Sequence, residues 1–407
     1  MPIIKKITAR QILDSRGIPT LETTIILDNN LHSSSSVPSG ASTGAHEAVE
    51  LRDGDKNYFF GKSVLKAAAK VNNNINSLLQ GIDVSQQKKI DTLLIEADGS
   101  ADKSNFGANA ILSVSLSCAR LASRNNNLPL YEYLRQLYSG KFNSQEVRPI
   151  FNVINAGLHA SGSVSFQEFF LIPKNKNFAD SLQTGCQLYQ QLKKELLVLG
   201  KNTSVGDEGG FAPRFENNDQ VIDLLIKVIG DADVTLGLDV AANTFYKKGF
   251  YLPEDIRLSS DNYLDFIFRL AHKYNLEILE DPLAEDSWAD WVNITARIGN
   301  KTKIIGDDLL VTNPHRLKKA IDIKAANGIL VKLNQIGTLS ETLEVVRMAR
   351  DAKFTVIISH RSGETTDDFI ADLAVAVGAD YVKFGAPARG ERVAKYNRLL
   401  AIYQNNL

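Results

Sequence analysis

The strongest constraint on the fold is a rhythm that begins near residue 148. Short apolar runs recur, FFLIP, VTLGLD, LEILED, KIIGDD, GILVKLN, FTVIISH and DYVKFG, each followed by a stretch with helical spacing. Runs of this kind, without polar alternation, read as strands buried on both faces, the composition of parallel strands covered by helices. All but the first close on an ionisable residue: Asp239, Glu280, Asp307, Lys332, His360 and Lys383. After one longer interval, the steps between these residues all lie in the twenties, which suits one strand and one helix per step. In a closed β/α barrel the C-terminal ends of the strands converge on one mouth, where such barrels place their chemistry. A doubly wound open sheet is the competing architecture and would spread the same residues along a line.

Ahead of this region the pattern differs. Residues 3–31 read as strands, because Leu21, Thr23, Ile25 and Leu27 alternate with Glu22, Thr24 and Ile26 before the turn chemistry of Asp28-Asn29-Asn30. Residues 64–79 and 108–122 carry apolar side chains at helical spacing. The division expected is an α+β domain over residues 1–135 and a barrel domain over 136–407. The asparagine run 72–74 is expected to be polar surface or turn, without a function.

Composition narrows the function classes. With 407 residues and 44% hydrophobic content the chain can bury a large core, and 46 Lys+Arg balance 47 Asp+Glu. A balanced charge gives no field for a polyanion, so nucleic acid is not an expected partner. No apolar run is long enough to span a membrane. Two cysteines and an N-terminus without an apolar leader lead us to expect a cytoplasmic location and no disulfide framework. There is no CxxC, HExxH or GxSxG, so structural zinc, zincin and α/β-hydrolase readings have no support.

The residues closing the runs suggest a chemistry. Three carboxylates, Asp239, Glu280 and Asp307, would repel one another in a strand-end cavity unless cations were bound, and all-oxygen ligation selects Mg²⁺ or Mn²⁺. Singly, each could be a solvated loop acid. Lys332 and Lys383 are lone charges in apolar segments; a lysine beside other cations is pushed toward its neutral form and can serve as a general base, although a structural ion pair is the plain alternative. The segment Ser359-His360-Arg361-Ser362-Gly363-Glu364 has the composition of a phosphate or carboxylate clamp. Residues 37–44, VPSGASTG, suit either a surface turn or a loop closing on substrate, and residues 206–210, GDEGG, hold two acids where backbone can approach a ligand.

Together these segments resemble the enolases across nearly the whole chain and in the same order: ARQILDSRG, VPSGASTGAHEAVELRDGD, VGDEGGFAP, EDPL, GDDLLVTNP, NQIGTLSETL, SHRSGETTDDFIADLAV and RVAKYN. The resemblance implies a small N-terminal α+β domain and a modified β/α barrel with one strand reversed. It also implies two Mg²⁺ ions, the second bound with substrate, and reversible dehydration of 2-phospho-D-glycerate to phosphoenolpyruvate. Carried over by residue, Asp239, Glu280 and Asp307 would hold the tighter metal, and Ser39 would help hold the second. Lys332 would take the proton from carbon 2, and Glu208, its carboxyl raised by crowding against Glu168, would protonate the departing hydroxyl on carbon 3. Glu168 and His159 would line that side, with His360 near the leaving group. Arg361 and Ser362 would grip the phosphate and Lys383 the carboxylate.

The chain departs from the family pattern at Ile18, at Ala156, Ser161 and Gly162 around His159, at Asn243-Thr244 after the first metal ligand, and at Phe384 after Lys383. Phe384, on a strand, should point away from Lys383 and fill space behind the pocket. Ala401 stands where the family has an arginine that pairs across a dimer with an acid matching Glu22. A homodimer or higher homo-oligomer is still expected, held by apolar burial. The alternative activity is that of a paralogue handling a related phospho- or phosphonate acid, as carboxyphosphonoenolpyruvate synthases do. A third class is a binding protein on the same scaffold, for example at a cell surface.

Overall fold

The computed structural model describes residues 2–40, 44–157 and 164–404. His159, Ser161 and Gly162 lie outside the described residues. The chain opens with an antiparallel meander of β1 (Ile4–Leu13), β2 (Pro19–Leu27) and β3 (His32–Ser36). Alternation along β2 sends Leu21, Ile25 and Leu27 to the buried side. The helix Ala108–Asn125 covers that side, and Thr23 shares hydrogen bonds with its Ser113 and Ser117 hydroxyls. On the other face Glu22 pairs with Arg10, its register partner on β1, at 2.7 Å.

The apolar spacing over 64–79 does form helix, but in three pieces. Leu65–Lys70 and Asn76–Leu79 are α, and Val71–Ile75 between them is π. Of the run expected to be idle surface, Asn73 and Asn74 are exposed, but Asn72 has a structural role. Asn72 accepts from Ala9 N and donates to Ala9 O, and Asn76 accepts from Ile7 N, so the widened turn presents amides that stitch the helix to β1.

The second part is a closed barrel. Its strands are β4 (Arg148–Asn155), β5 (Glu168–Pro173), β6 (Val234–Asp239), β9 (Ile278–Glu280), β10 (Lys303–Gly306), β11 (Gly328–Val331), β12 (Thr355–Ser359) and β13 (Tyr381–Lys383). A two-stranded hairpin, β7 (Tyr246–Lys247) and β8 (Phe250–Tyr251), projects between β6 and β9 in the chain. The barrel order β10-β11-β12-β13-β4-β5-β6-β9 excludes the open sheet. All seven apolar runs form barrel strands, but the expectation that FFLIP is parallel is overturned: β5 is antiparallel to both β4 and β6. Among the described residues no α-helix lies between β4 and β5, and two helices, Phe178–Val198 and Asn218–Ile229, then return the chain to start β6. Strand β4 is absent from the apolar runs because Asn152 and Asn155 interrupt it.

The barrel interior is packed solid. Ile150, Phe170, Ile172, Ile278, Ile305, Leu330, Ile357 and Tyr381 form a cluster of their own, apart from the main core. Strand β6 contributes Gly237 at this level, where a Cβ would stand 3.1 Å from both Ile172 Cδ1 and Ile278 Cβ. No helix among the described residues is long and apolar enough to cross a membrane.

Candidate active site

Strand register builds the mouth. Asn155 on β4 is the Cα partner of Glu168 on β5, Glu168 of Asp239 on β6, and Asp239 of Glu280 on β9. Four adjacent strands therefore end on a continuous polar row. Asp307, Lys332 and His360 each follow the last residue of the next strands round, and Lys383 ends β13. The residues read from strand ends thus come together, and apart from the largely buried Lys332 they are 8% exposed or less.

Two ammonium groups sit among the acids. Lys383 Nζ donates to both oxygens of Glu280 at 2.8 and 2.9 Å, and lies 2.9 Å from Glu168 and 3.6 Å from Asp239. Burial alone would push this ammonium down, but Glu168, Glu280 and Asp239 outweigh it and hold its pKa well above the usual lysine value. Glu280 is driven well up by burial and by Asp239, Asp307 and Glu168, against the pull of Lys383. Lys332 Nζ is 2.5 Å from Asp307 Oδ2. Burial, Arg361 and Lys383 push Lys332 toward neutrality, the direction expected of neighbouring cations, while Asp307 acts against them and holds its pKa up.

The donor set fits a hard divalent cation. Asp239, Glu280 and Asp307 offer only carboxylate oxygens, on strand ends that cannot spread apart, and positive charge is already drawn into the row in the form of Lys383. A tight grouping of acidic oxygens, within 4.8 Å, also joins Asp307 to Asp281 and Asp308. Asp281 is a clasp there, since its two oxygens accept from the backbone N–H groups of Asp307 and Asp308 at 2.9 and 2.7 Å.

Glu208 lies apart from the lysine pairs, among donors. Asn152 Nδ2 is 3.0 Å from its Oε2, Ser362 Oγ 3.1 Å from its Oε1, and His360 Nε2 3.1 Å from its Oε2. His360 is held down to about 3 chiefly by burial, so its ring is neutral. Arg361 meets an anion already: Glu47 accepts from its Nη1 at 2.8 Å and its Nη2 at 3.2 Å. Ser39 is locked to Gly363 by two backbone hydrogen bonds of 2.7 and 3.0 Å, and its hydroxyl accepts from Arg52 and Arg16 at 2.8 and 3.2 Å. The loop segment is thereby docked on SHRSGE, while its hydroxyl partners are guanidinium groups and not the acid trio.

Several contributors escaped the sequence reading. Asn152 supports Glu208, Gln167 donates to Asp239 at 3.2 Å, Gln335 donates to Asp307 at 2.8 Å, and Glu47 pairs with Arg361. Asn152 shows only as a lone amide in an apolar run and Gln167 carries no signal, while Glu47 and Gln335 lie inside family-like segments quoted above without having been singled out. Among the departures, Asn243 donates to Asp308 at 3.0 Å and accepts from Glu285 N at 2.9 Å, so it braces two loops of the mouth. Phe384 is fully buried, its ring 5.8 Å from that of Tyr396 in the main core.

Comparison with known proteins agrees with this geometry. Residues 4–134 match the family model described as the enolase N-terminal domain, and residues 146–406 the enolase C-terminal TIM barrel domain. The chain is 46% identical over 409 aligned residues to the enolase of Elusimicrobium minutum (strain Pei191), with 99% of this chain and 96% of that protein covered. With both halves matched and the strand-end residues gathered at one barrel mouth, the chain belongs to the enolase family, the phosphopyruvate hydratases.

Proposed function

We propose that this site dehydrates 2-phospho-D-glycerate reversibly to phosphoenolpyruvate, with two Mg²⁺ ions, the second bound with substrate. The observation that carries the reading is the convergence of Asp239, Glu280, Asp307, Lys332, Lys383, Arg361, Glu208 and His360 on one end of the barrel. Asp239, Glu280 and Asp307 would hold the resident metal, and Ser39 would turn its hydroxyl from Arg52 to help hold the second. When bound, the metals neutralise the charge that develops on the substrate carboxylate as carbon 2 loses its proton.

The chain's own groups divide the remaining work. Lys332, released from Asp307 as that carboxylate turns to metal, takes the proton from carbon 2. Lys383 faces the substrate carboxylate. Arg361 and Ser362 take the phosphate, which displaces Glu47 from the guanidinium. Glu208 passes a proton to the departing carbon 3 hydroxyl, and Glu168, His360 and His159 line that side. These are carbanion and acid-base roles familiar from the enolase superfamily, of which a lysine base with Mg²⁺ is the general pattern.

The paralogue reading requires the departures to face substrate. Burial of Phe384 against Tyr396 and the bracing role of Asn243 favour the dehydratase. We further propose that residues 1–135 and 136–407 act as capping and catalytic units, that the chain works in the cytoplasm, and that it assembles as a homodimer, with Glu22 satisfied by Arg10 within its own hairpin. Light scattering at micromolar concentration checks the assembly, and a monomer would refute it. The direct test of function is absorbance of the conjugated product from purified protein, 2-phosphoglycerate and Mg²⁺. Turnover that chelator abolishes, and that Asp239→Ala loses while staying folded, is expected; full activity in chelator would end the metal assignment, and no turnover the dehydratase.

A further inference from the structure

Arg392 lies on the helix Gly390–Gln404, which follows the last barrel strand, and is among the largest fully buried side chains of the described residues. Its guanidinium is spread over two segments of the site. Nη1 is 2.6 Å from His360 Nδ1 and donates to Arg361 O at 2.6 Å, while Nη2 donates to Ser362 O at 2.5 Å and to Asp207 O at 3.0 Å. One side chain thus ties Asp207, the neighbour of Glu208, to the clamp segment 360–362. Gly385 closes the packing, since a Cβ there would stand 2.9 Å from His360 Cε1 and 3.1 Å from Arg392 Cδ.

The chemistry of this contact is one-directional. A guanidinium has donors and no acceptor, and it does not lose its proton in a protein. His360 Nδ1 must therefore accept, so it carries no hydrogen, and a neutral ring must hold its single proton on Nε2. Among the described residues that nitrogen has no other partner, and it faces Glu208 Oε2 at 3.1 Å, short of full hydrogen-bond alignment. Catalytic hydrogen bonds of this kind are often loose without substrate and tighten with it.

We propose that Arg392 is a positioning residue that imposes the Nε2–H tautomer on His360, so that the imidazole can only donate toward Glu208 and orients that carboxyl for proton transfer to the leaving hydroxyl. The proposal rests on the assignment of Glu208 given above. It makes the step at carbon 3 depend on Arg392 and leaves the step at carbon 2, assigned to Lys332, independent of it.

The test begins with wild-type protein carrying ¹⁵N-labelled histidine, the His360 signals being assigned by their loss in His360→Gln. A protonated Nε2 and bare Nδ1 at neutral pH are expected. A proton on Nδ1 overturns the proposal, and so does a doubly protonated ring. The second measurement compares Arg392→Met with Arg392→Lys in Mg²⁺. Arg392→Met should lose the fixed tautomer and make phosphoenolpyruvate about 10- to 100-fold more slowly, while exchanging the carbon 2 hydrogen of 2-phosphoglycerate with deuterated water at the wild-type rate and with unchanged KM. Arg392→Lys, which keeps a donor, should restore the tautomer and part of the rate. Equal loss of exchange and dehydration, or a raised KM, would assign Arg392 to general structure and sink the proposal. If Arg392→Met does not fold, the wild-type tautomer still decides. Failure of the functional reading is separable, because wild-type protein would then neither exchange nor dehydrate whatever its tautomer.

Discussion

Glu277 and Glu280 flank the same short strand, β9, one at the base of the barrel and one at the mouth, and they behave in opposite ways. At the base Glu277 accepts from Arg148 at 2.6 and 3.3 Å, from Tyr381 Oη at 2.5 Å and from the Thr235 hydroxyl. Burial would raise its pKa, but Arg148, Thr235 and Tyr381 together hold it below the ordinary value. At the mouth Glu280 meets one ammonium and three carboxylates, and its pKa is driven well up. Burial raises the pKa of both, the fully buried Glu280 and the partly buried Glu277, and what separates a structural acid from a ligand is the balance of donors against other acids. The base is an internally satisfied network that stabilises the fold. The mouth is an electrostatically unfavourable arrangement of acids that a bound cation would relieve.

The sharpest way to test that contrast is to remove chemistry at the mouth. Lys332→Ala should leave a folded protein that neither exchanges the carbon 2 hydrogen nor makes phosphoenolpyruvate, a loss of about 10²- to 10⁴-fold for the proton transfer alone. Glu208→Gln should exchange that hydrogen and make little product. If Glu208→Gln loses exchange as completely as Lys332→Ala at normal substrate affinity, the stepwise assignment is wrong.

Packing behind the mouth comes next in size. Phe384→Thr removes a fully buried ring from its contact with Tyr396 and should cost about 3 kcal/mol of stability, with little change of substrate preference. A switch in preference at unchanged stability would favour the paralogue.

The two glutamates themselves give effects of opposite sign. Glu277→Gln breaks a partly buried ion pair and should destabilise by about 1–3 kcal/mol in urea denaturation at neutral pH. Because its folded pKa lies below the ordinary 4.5, the stability it contributes is present above that value and is lost as pH falls through the folded pKa. Its deficit should therefore shrink in acid. Glu280→Gln should abolish metal-dependent activity yet raise the stability of the chelated protein. Here the folded pKa lies above 4.5, so the wild-type penalty is full at high pH and fades as pH falls from the raised value toward 4.5. Equal signs for the two variants would remove the distinction between base and mouth.

The mouth was largely legible before any coordinates. Asp239, Glu280, Asp307, Lys332, His360 and Lys383 each stand at the end of an apolar run, and a barrel has nowhere to put strand ends except one rim. Glu208 was harder, since it belongs to a glycine-rich loop and is identified by the family motif. Arg392 and Gln335 fall inside family-like segments and Asn152 and Gln167 in none, but nothing local marks the role of any of them, because each acts on a residue well away in the chain. The direction of β5 was hidden for a related reason. A strand buried on both faces has the same composition whichever way it runs, so FFLIP carries no mark of its reversal.

The sequence by itself determined which segments become strands and helices and which charged residues end them, because periodicity and burial are properties of short windows. Tertiary structure alone decided the charge state of each acid, the tautomer that Arg392 favours on His360, and the docking of Ser39 on Gly363. Those depend on groups brought together from separate elements, and an interaction that falls off over a few ångströms cannot be read along a chain whose partners stand tens to hundreds of residues apart.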